Sequence, residues 1–451
     1  MPATDLIAAI ATPAGRGGIG VIRVSGADVS PIIEGMLGGR APRPRTATLM
    51  RFLGPRGEAL DQGMALLFPA PASYTGETVL ELHGHGGPAV LALLLKRCLE
   101  LGARIAEPGE FTKRAFLNDK MDLAQAEAVA DLIDAATTTA ARAAARSLSG
   151  EFSREVQGIV DALVELRMFT EATLDFPDED IEFVRAADAR GKVSALRKRL
   201  AAIILRARQG SLLREGLNVV IIGAPNVGKS SLLNRLVGDD VAIVTPIAGT
   251  TRDAIRSSIE IRGIPLHVID TAGLRHAADE VERIGIERTW AAIDRADLAL
   301  VIADAREPEA FGAQPFTAKL PSTLPRIAVR NKIDLTGEAP KFTTADGRIS
   351  VWLSAKTGAG IGLLQDAILD LAGAHEEMEG TFLARERHLQ ALAESLGHLD
   401  QAVAHLGATA PPLELFAEEL RETQNALSSI AGKFTADDLL GEIFSRFCIG
   451  K

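Results

Sequence analysis

The chain has 451 residues, 47% of them hydrophobic and 24% charged, with a formal net charge of −10 and two cysteines. Length suggests roughly two to four domains, and the composition is that of a globular protein in a reducing compartment rather than a disulfide scaffold. The acidic balance excludes a protein that holds nucleic acid by its overall charge, so an RNA role needs a local basic patch or a partner subunit. Aromatic residues, 4% of the chain, are also too few for a broad base-stacking platform.

The start, MPATDLIAAIATPAGRGG, has neither the basic region nor the long apolar core of a signal peptide. No run approaches the ~18 apolar residues of a membrane span. A cytoplasmic protein without a membrane partner is expected. Residues 1–118 are rich in Gly and Pro, with short apolar runs at IGVIRV (19–24), ALLFPA (65–70) and TVLELHG (78–84). These predict short strands and turns. PAVLALLLKRCLELGA (88–103) predicts a helix, with Pro in its first turn and Gly at its end. An α+β domain is expected here.

GRGGIG (15–20) fits G-x-G-x-x-G, but the next residues, VIRVSG, are strand-like and no helix begins there. A glycine turn is expected, not a dinucleotide site. LHGHGG (82–87) holds His83 and His85, too few ligands for a convincing metal site. Arg23 and Glu81 are charges inside apolar strands. A solvent face and a polar ligand pocket both account for them.

From Asp119 the sequence becomes Ala-rich and helical in period. FPDED (176–180) breaks it, and a further helix is predicted over roughly 187–213. Helical texture returns at about 380 and runs to the end. Between lies a βα-alternating block, 216–375. The pattern predicts one domain inserted into another. The N-terminal domain would be 1–118, the helical domain 119–215 plus 376–451, and the inserted α/β domain 216–375.

The inserted block opens with LNVVIIGAPNVGKSSLLNRLVG (217–238), an apolar strand, a Gly-rich loop and a helix. It fits G-x-x-x-x-G-K-[ST] through Gly223, Gly228, Lys229 and Ser230. Backbone N–H groups from Asn226 to Ser231, Val227 among them, would cradle phosphates. Lys229 would reach the β/γ-phosphates and Ser230 would ligate Mg²⁺. LHVIDTAG (266–273) places Asp270 near that Mg²⁺ and Gly273 by the γ-phosphate. RIAVRNKIDL (326–335) carries N-K-x-D: Asp334 accepts from the ring N–H and the exocyclic amine of guanine, with Asn331 in support and Lys332 between. SAKTG (354–358) offers amides from Ser354, Ala355 and Lys356 to the guanine carbonyl. A site built around such donors and acceptors rejects adenine by roughly 10⁴–10⁵. The four motifs in this order predict a GTPase. VTPIAGTTRD (244–253) supplies the Thr that senses γ-phosphate, Thr251 or its neighbour Thr250.

Ras-like GTPases place a water-orienting Gln directly after the D-x-x-G turn, and here that position is Leu274. Hydrolysis is then slow, or another group does the work. Glu280, Glu282 and Glu287 lie close downstream. A monovalent cation is a candidate for the missing positive charge. Its ligands would be Asn226 and carbonyls of 244–250, with Thr245, Ile247 and Thr250 among them.

The chain closes on RFCIGK. FTADDLLGEIFSRF (434–447) predicts a helix with Thr435 as N-cap. Cys448 would sit at its C-terminal end, where the dipole disfavours a thiolate. Gly450 and Lys451 do not make a prenylation box.

These stretches together resemble the MnmE (TrmE) family of tRNA modification GTPases, over essentially the whole chain. DLIAAIATPAGRGGIGVIRVSG, LHGHGGP, EPGEFTKRAFLNDKMDLAQAEAVADLI, GAPNVGKSSLLN, IAGTTRD, DTAGLR, DEVERIGIER and the closing CIGK carry the likeness. The resemblance implies an N-terminal domain that binds a reduced tetrahydrofolate derivative and mediates homodimerisation. Arg23, Glu81, Lys120 and Lys451 would contact the folate, with Cys448 beside the one-carbon unit. It implies an FAD-containing MnmG partner in a hetero-oligomer and the wobble uridine of tRNA as substrate. The addition at C5 would be an aminomethyl or carboxymethylaminomethyl group. It further implies K⁺-dependent pairing of GTPase domains through Asn226, and Glu282 as the water-activating carboxylate. The alternative is an RNA- or ribosome-associated switch GTPase, which leaves residues 1–118 and the tail without a task.

Overall fold

The structure, a computed structural model, describes residues 5–175, 188–237, 256–270, 293–307, 320–345, 347–374, 380–408, 411–432, 437–445, 447 and 450. They form two compact units. One is built from Met1–Ala130, Leu148–Ala172 and Ala417–Lys451, the other from Asp131–Ser147 and Thr173–Phe416.

The first unit holds strands β1 (Ile7–Ile10), β2 (Gly20–Gly26), β3 (Thr48–Leu53), β4 (Ala59–Phe68), β5 (Thr78–Gly84) and β6 (Arg104–Ile105), with helices α1 (Ser30–Leu37) and α2 (Pro88–Glu100). The sheet order is β3-β4-β5-β2-β1-β6, antiparallel except for the parallel β1–β6 pair. Strand side chains alternate between faces. Ile22 and Val24 are buried in a core with Leu80, Leu82, Phe52, Met36 and Leu94, while Arg23 between them takes the other face. Cys98 lies in this core, 4.0 Å from the Met36 sulfur. Burial pushes its thiol up to about 12, so it is an inert packing residue.

Three helices come next: α3 (Glu110–Leu117), α4 (Leu123–Asp134) and α5 (Thr138–Leu148). The Arg114 guanidinium of α3, 4% exposed, is shared by Asp5, Glu77 and Glu110. A buried cation needs such partners, and here they tie the loop 69–77 to α3. The last helix, Asp437–Ser445, packs Leu440, Ile443 and Phe444 on Leu123 and Ala126 of α4, with Phe447 beside them. Gly450 has φ 99°, and a Cβ there would meet the Ile10 carbonyl oxygen at 2.3 Å. Gly450 therefore lies on the end of β1, at a spot that only glycine fits.

The second unit holds a seven-stranded sheet of order β12-β13-β11-β10-β7-β9-β8. Its strands are β7 (Leu217–Gly223), β8 (Arg256–Ile261), β9 (Ile264–Asp270), β10 (Leu298–Asp304), β11 (Arg326–Asn331), β12 (Lys341–Ala345) and β13 (Arg348–Leu353). The five inner strands are parallel, and the edges β8 and β12 run antiparallel to their neighbours. Every residue of the central β10 is buried, as a parallel strand covered on both faces requires. The helix Ala189–Glu215 leads into β7, and Glu386–Leu406 lies beyond the block. Arg197 of the first pairs with Asp400 of the second.

Gly210 sits inside Ala189–Glu215. In an ordinary helix interior, Ala in place of Gly stabilises by about 0.5–1 kcal/mol. Here a Cβ would come within 1.9 Å of the Phe382 carbonyl oxygen. Gly210→Ala is therefore expected to lower the melting temperature of the second unit by roughly 3–8 °C. Calorimetry that finds equal or greater stability would refute this close approach.

Candidate functional site

The GTPase motifs converge at the carboxyl ends of β7, β11 and β13, where open α/β sheets bind ligands. β7 stops at Gly223, where a Cβ would meet the Ile302 carbonyl oxygen at 2.6 Å. The loop turns through Asn226 (φ 63°) and Gly228 (φ 98°) into the helix Lys229–Val237. Val227 is buried and anchors the loop, while Asn226, Ser230 and Ser231 are exposed at its rim. Such a turn aims successive N–H groups at one point, and the helix start adds positive potential. The Lys229 ammonium donates to the Gly223 carbonyl at 2.7 Å and the Ala224 carbonyl at 3.1 Å. It is thereby held over the loop's mouth.

One buried side chain joins this loop to the base-reading loops. Asn331, 2% exposed, donates from Nδ2 to the Val227 carbonyl at 2.8 Å and accepts at Oδ1 from the Ala355 N–H at 2.9 Å. A Cβ on Gly228 would sit 2.3 Å from Asn331 Nδ2, so the loop passes where only glycine lets it. Ser354 Oγ donates to Asp334 Oδ1 at 2.6 Å and accepts from the Thr357 N–H at 3.2 Å. Asp334, an exposed residue, is thus oriented while its second oxygen stays available. Lys332 takes a left-handed φ of 70° and reaches Asp304 Oδ2 at 2.9 Å. Hydrogen bonds from Arg306, then Lys332, hold the Asp304 carboxyl well below the usual carboxylate range. Arg235 of the loop's helix donates to the Ala355 and Lys356 carbonyls at 3.3 and 2.8 Å, a second tie between the two loops.

Asp270 ends β9 in register with Ile221. Its side chain, together with Thr245, Ile247, Thr250, Thr251, Gly273, Leu274, Glu282, Thr435, Cys448 and Lys451, lies outside the described residues. A cavity of about 400 Å³ lined by Arg208, Leu217, Asn218 and Leu298 lies at the opposite, amino end of β7 and β10. No phosphate-binding turn among the described residues faces it.

The first unit gathers a second set of expected residues. Arg23 and Glu81 are cross-strand neighbours on β2 and β5, and Arg23 Nε donates to Glu81 Oε1 at 2.9 Å. His83 Nε2 lies 3.1 Å from Glu81 Oε2, and His85 Nδ1 lies 2.7 Å from Asp61 Oδ1. The guanidinium lies 5.4 Å from the Tyr74 ring centroid and 5.7 Å from that of Phe111. Arg23 and Glu81 keep 23% and 17% side-chain exposure, so the ion pair is half-buried rather than on open surface. Lys120 Nζ donates to the Pro71 carbonyl at 3.0 Å, on the same loop that carries Tyr74. β1, on which Gly450 lies, pairs with β2 so that Ala9 faces Arg23 and Ile10 faces Ile22. Gly450 thus lies at the end of the strand that neighbours the Arg23 strand. GRGGIG forms the loop before β2, as expected: Gly17 N–H donates to the Gly86 carbonyl at 3.1 Å. The sequence pattern does not mark Tyr74, although it is the chain's single tyrosine. It does not mark Asp304 either.

A family model described as "GTP-binding protein TrmE N-terminus" matches residues 6–120, and one described as "MnmE helical domain" matches residues 123–448. A tRNA modification GTPase MnmE from Chromobacterium violaceum is 58% identical over 450 residues, covering 100% of this chain and 99% of that protein. The protein of the same name from Azoarcus sp. is 60% identical over 449 residues, 99% of this chain and 98% of its own. The chain belongs to the MnmE family of tRNA modification GTPases. As an MnmE-family protein it is a GTP hydrolase that joins α+β, helical and P-loop α/β parts. Among solved structures, the G domain of the T. maritima FeoB iron transporter aligns over 35% of this chain and 98% of its own, at 24% identity and a TM-score of 0.26. No helix among the described residues is long and apolar enough to cross a membrane.

Asp334→Asn tests the base-reading geometry. A carboxylate accepts from both guanine N–H groups, whereas an amide offers a donor in place of one acceptor. GTP affinity is expected to fall by roughly 10²-fold or more, with xanthosine triphosphate gaining relative to GTP. A fluorescent-nucleotide titration with GTP affinity unchanged would contradict the arrangement.

Proposed function

We propose that this chain is the GTP-hydrolysing subunit of an enzyme that modifies the wobble uridine of tRNA at C5. The addition is an aminomethyl or carboxymethylaminomethyl group, made with an FAD-containing MnmG-like partner. The observation that carries this reading is the presence in one chain of a guanine-nucleotide site and, apart from it in sequence, a half-buried Arg23–Glu81 ion pair beside Tyr74 and Phe111. A GTPase switch alone has no use for the second. A reduced tetrahydrofolate derivative, bound there, would supply the one-carbon unit.

The residues present suit that ligand. A half-buried guanidinium and carboxylate, flanked by Tyr74 and Phe111, match a flat, hydrogen-bonding ring system. Burial pushes the Tyr74 phenol up, so it stays neutral. Arg23, Glu81, Lys120 and Lys451 are the folate contacts in this reading, with Cys448 beside the one-carbon unit.

In the GTPase block, Lys229 and the turn through Gly228 bind phosphate, and Asp334 with Asn331 and Ser354 reads guanine. Ser230 and Thr251 would hold Mg²⁺, with Asp270 in support. Asn226, Thr245, Ile247 and Thr250 would hold K⁺, supplying positive charge where Leu274 replaces a glutamine. Glu282 orients the attacking water. The domains run 1–118, 119–215 plus 376–451, and 216–375. The protein works in the cytoplasm as a homodimer joined through its N-terminal sheet. The sheet face opposite α1 and α2 supports this, because Leu49 and Met64 are 62% and 36% exposed.

Three measurements test this reading. GTP turnover is expected to be at least about tenfold faster in K⁺ than in Na⁺. Equal rates would remove the cation from the mechanism. Glu282→Ala is expected to slow kcat with GTP affinity nearly unchanged, and a pure affinity loss would reject its role. Mass spectrometry of tRNA from a strain lacking the protein is expected to find wobble uridines without the C5 group. Unaltered nucleosides would instead support the switch GTPase.

A further inference from the structure

Asp131–Ser147 lies in sequence between two stretches of the first unit, yet it folds with the second. Its attachment there is specific. Thr137 Oγ1 accepts from the Ala140 N–H at 3.1 Å, capping α5, and donates to the Gly263 carbonyl at 2.9 Å. Gly263 sits at the turn between β8 and β9 with φ 89°. A Cβ there would lie 2.4 Å from Thr139 Oγ1. Ala140, Ala143 and Ala144 enter the core that holds Ile261 and Ile264. At the far end of the segment, Ser147 Oγ exchanges hydrogen bonds with the Leu383 backbone, donating at 3.2 Å and accepting at 2.9 Å. Asp131 accepts from Arg214 at 2.9 Å and Arg385 at 2.8 Å. One carboxylate thus grips the chain where it enters the GTPase block and where it leaves.

The hairpin that Thr137 touches occupies a particular place. In sequence, β8 comes after the stretch with Thr250 and Thr251, and β9 leads to Gly273 and Glu282. The two stretches assigned to the γ-phosphate therefore leave from the open end of one hairpin, whose closed end meets α5. β9 is paired with β7 from Leu217↔Leu266 to Ile221↔Asp270. A strand of this length spans roughly 20 Å, so the hairpin is one stiff element between α5 and the strand ends from which those stretches depart.

We propose that residues 131–147 are the relay that passes nucleotide state from the γ-phosphate loops to the rest of the chain, and that Thr137 is the positioning residue keying α5 to the Gly263 turn. The relay rests on the proposed function, in which GTP turnover drives tRNA modification. Both ends of the segment continue covalently into the first unit, at Ala130 and Leu148. A nucleotide shifts this equilibrium only if the two states differ in free energy at the Thr137–Gly263 contact.

Hydrogen exchange by mass spectrometry on the full-length protein tests the relay directly. With Mg²⁺ and K⁺ present, exchange of residues 137–144 is expected to differ by roughly fivefold or more between GDP and GDP with aluminium fluoride, within the ordinary range of coupling. Thr137→Val is expected to erase that difference and keep kcat for GTP within about twofold of wild type. It should lower wobble-uridine modification in a complemented strain by at least about fivefold. Thr137→Ser, which keeps the hydroxyl, should restore both. Identical exchange in the two nucleotide states of the wild type overturns the relay, as does wild-type modification by Thr137→Val. If the deletion strain has normal wobble uridines, the functional reading fails. The relay is then decided by the exchange difference alone, its presence supporting and its absence refuting it.

Discussion

The carboxamide of Asn331 is buried between two loops and bonded to both, to the Val227 carbonyl on one side and the Ala355 N–H on the other. Val227 and Ala355 are far apart in sequence, and no strand pairing joins their loops. A buried amide costs roughly 1–3 kcal/mol when a partner is lost. The loop that cradles phosphate and the loop that reads guanine are therefore held in register by one shared side chain. Gly228, Arg235 and Ser354 extend the same constraint. Gly228 lets the turn pass the amide, Arg235 ties helix to loop, and Ser354 orients the carboxylate of Asp334. Specificity for guanine and affinity for phosphate share one physical cause.

A similar economy holds in the first unit. Alternation along β2 sends Ile22 and Val24 to the core and leaves Arg23 on the opposite face, where Glu81 of the next strand meets it. The pair gains its environment from elements distant in sequence: the loop with Tyr74 and α3 with Phe111. Net negative charge is no obstacle to such a site, because a few enclosed cations act locally. Salt screens the remaining charges beyond about 8–10 Å.

Much of this is legible in the sequence because the signals are local. The strand–loop–helix of 217–238, the strands ending in Asp270 and Asn331, and the helix after Pro88 all come from periodicity and turn chemistry, with ends that coincide or shift by up to three residues. The helix expected over 187–213 spans 189–215. β12 is not legible: all five of its residues are exposed, so no apolar alternation marks it. The attachment of 131–147 to the GTPase block is also hidden. Its Ala-rich texture matches the helices around it, and only the Gly263 turn, 126 residues from Thr137, distinguishes it. Tyr74 and Asp304 escape for a related reason, since their partners are assembled by the fold and not by spacing.

Nucleotide binding depends most directly on Asn331 joining the two loops. Isothermal titration of GTP·Mg²⁺ into Asn331→Ala, beside the wild type, measures that dependence. The loss of two buried hydrogen bonds is expected to weaken GTP binding by roughly 10- to 100-fold, with guanine preference and phosphate affinity falling together. A variant that binds GTP as tightly as the wild type would contradict the claim that this amide sets the site.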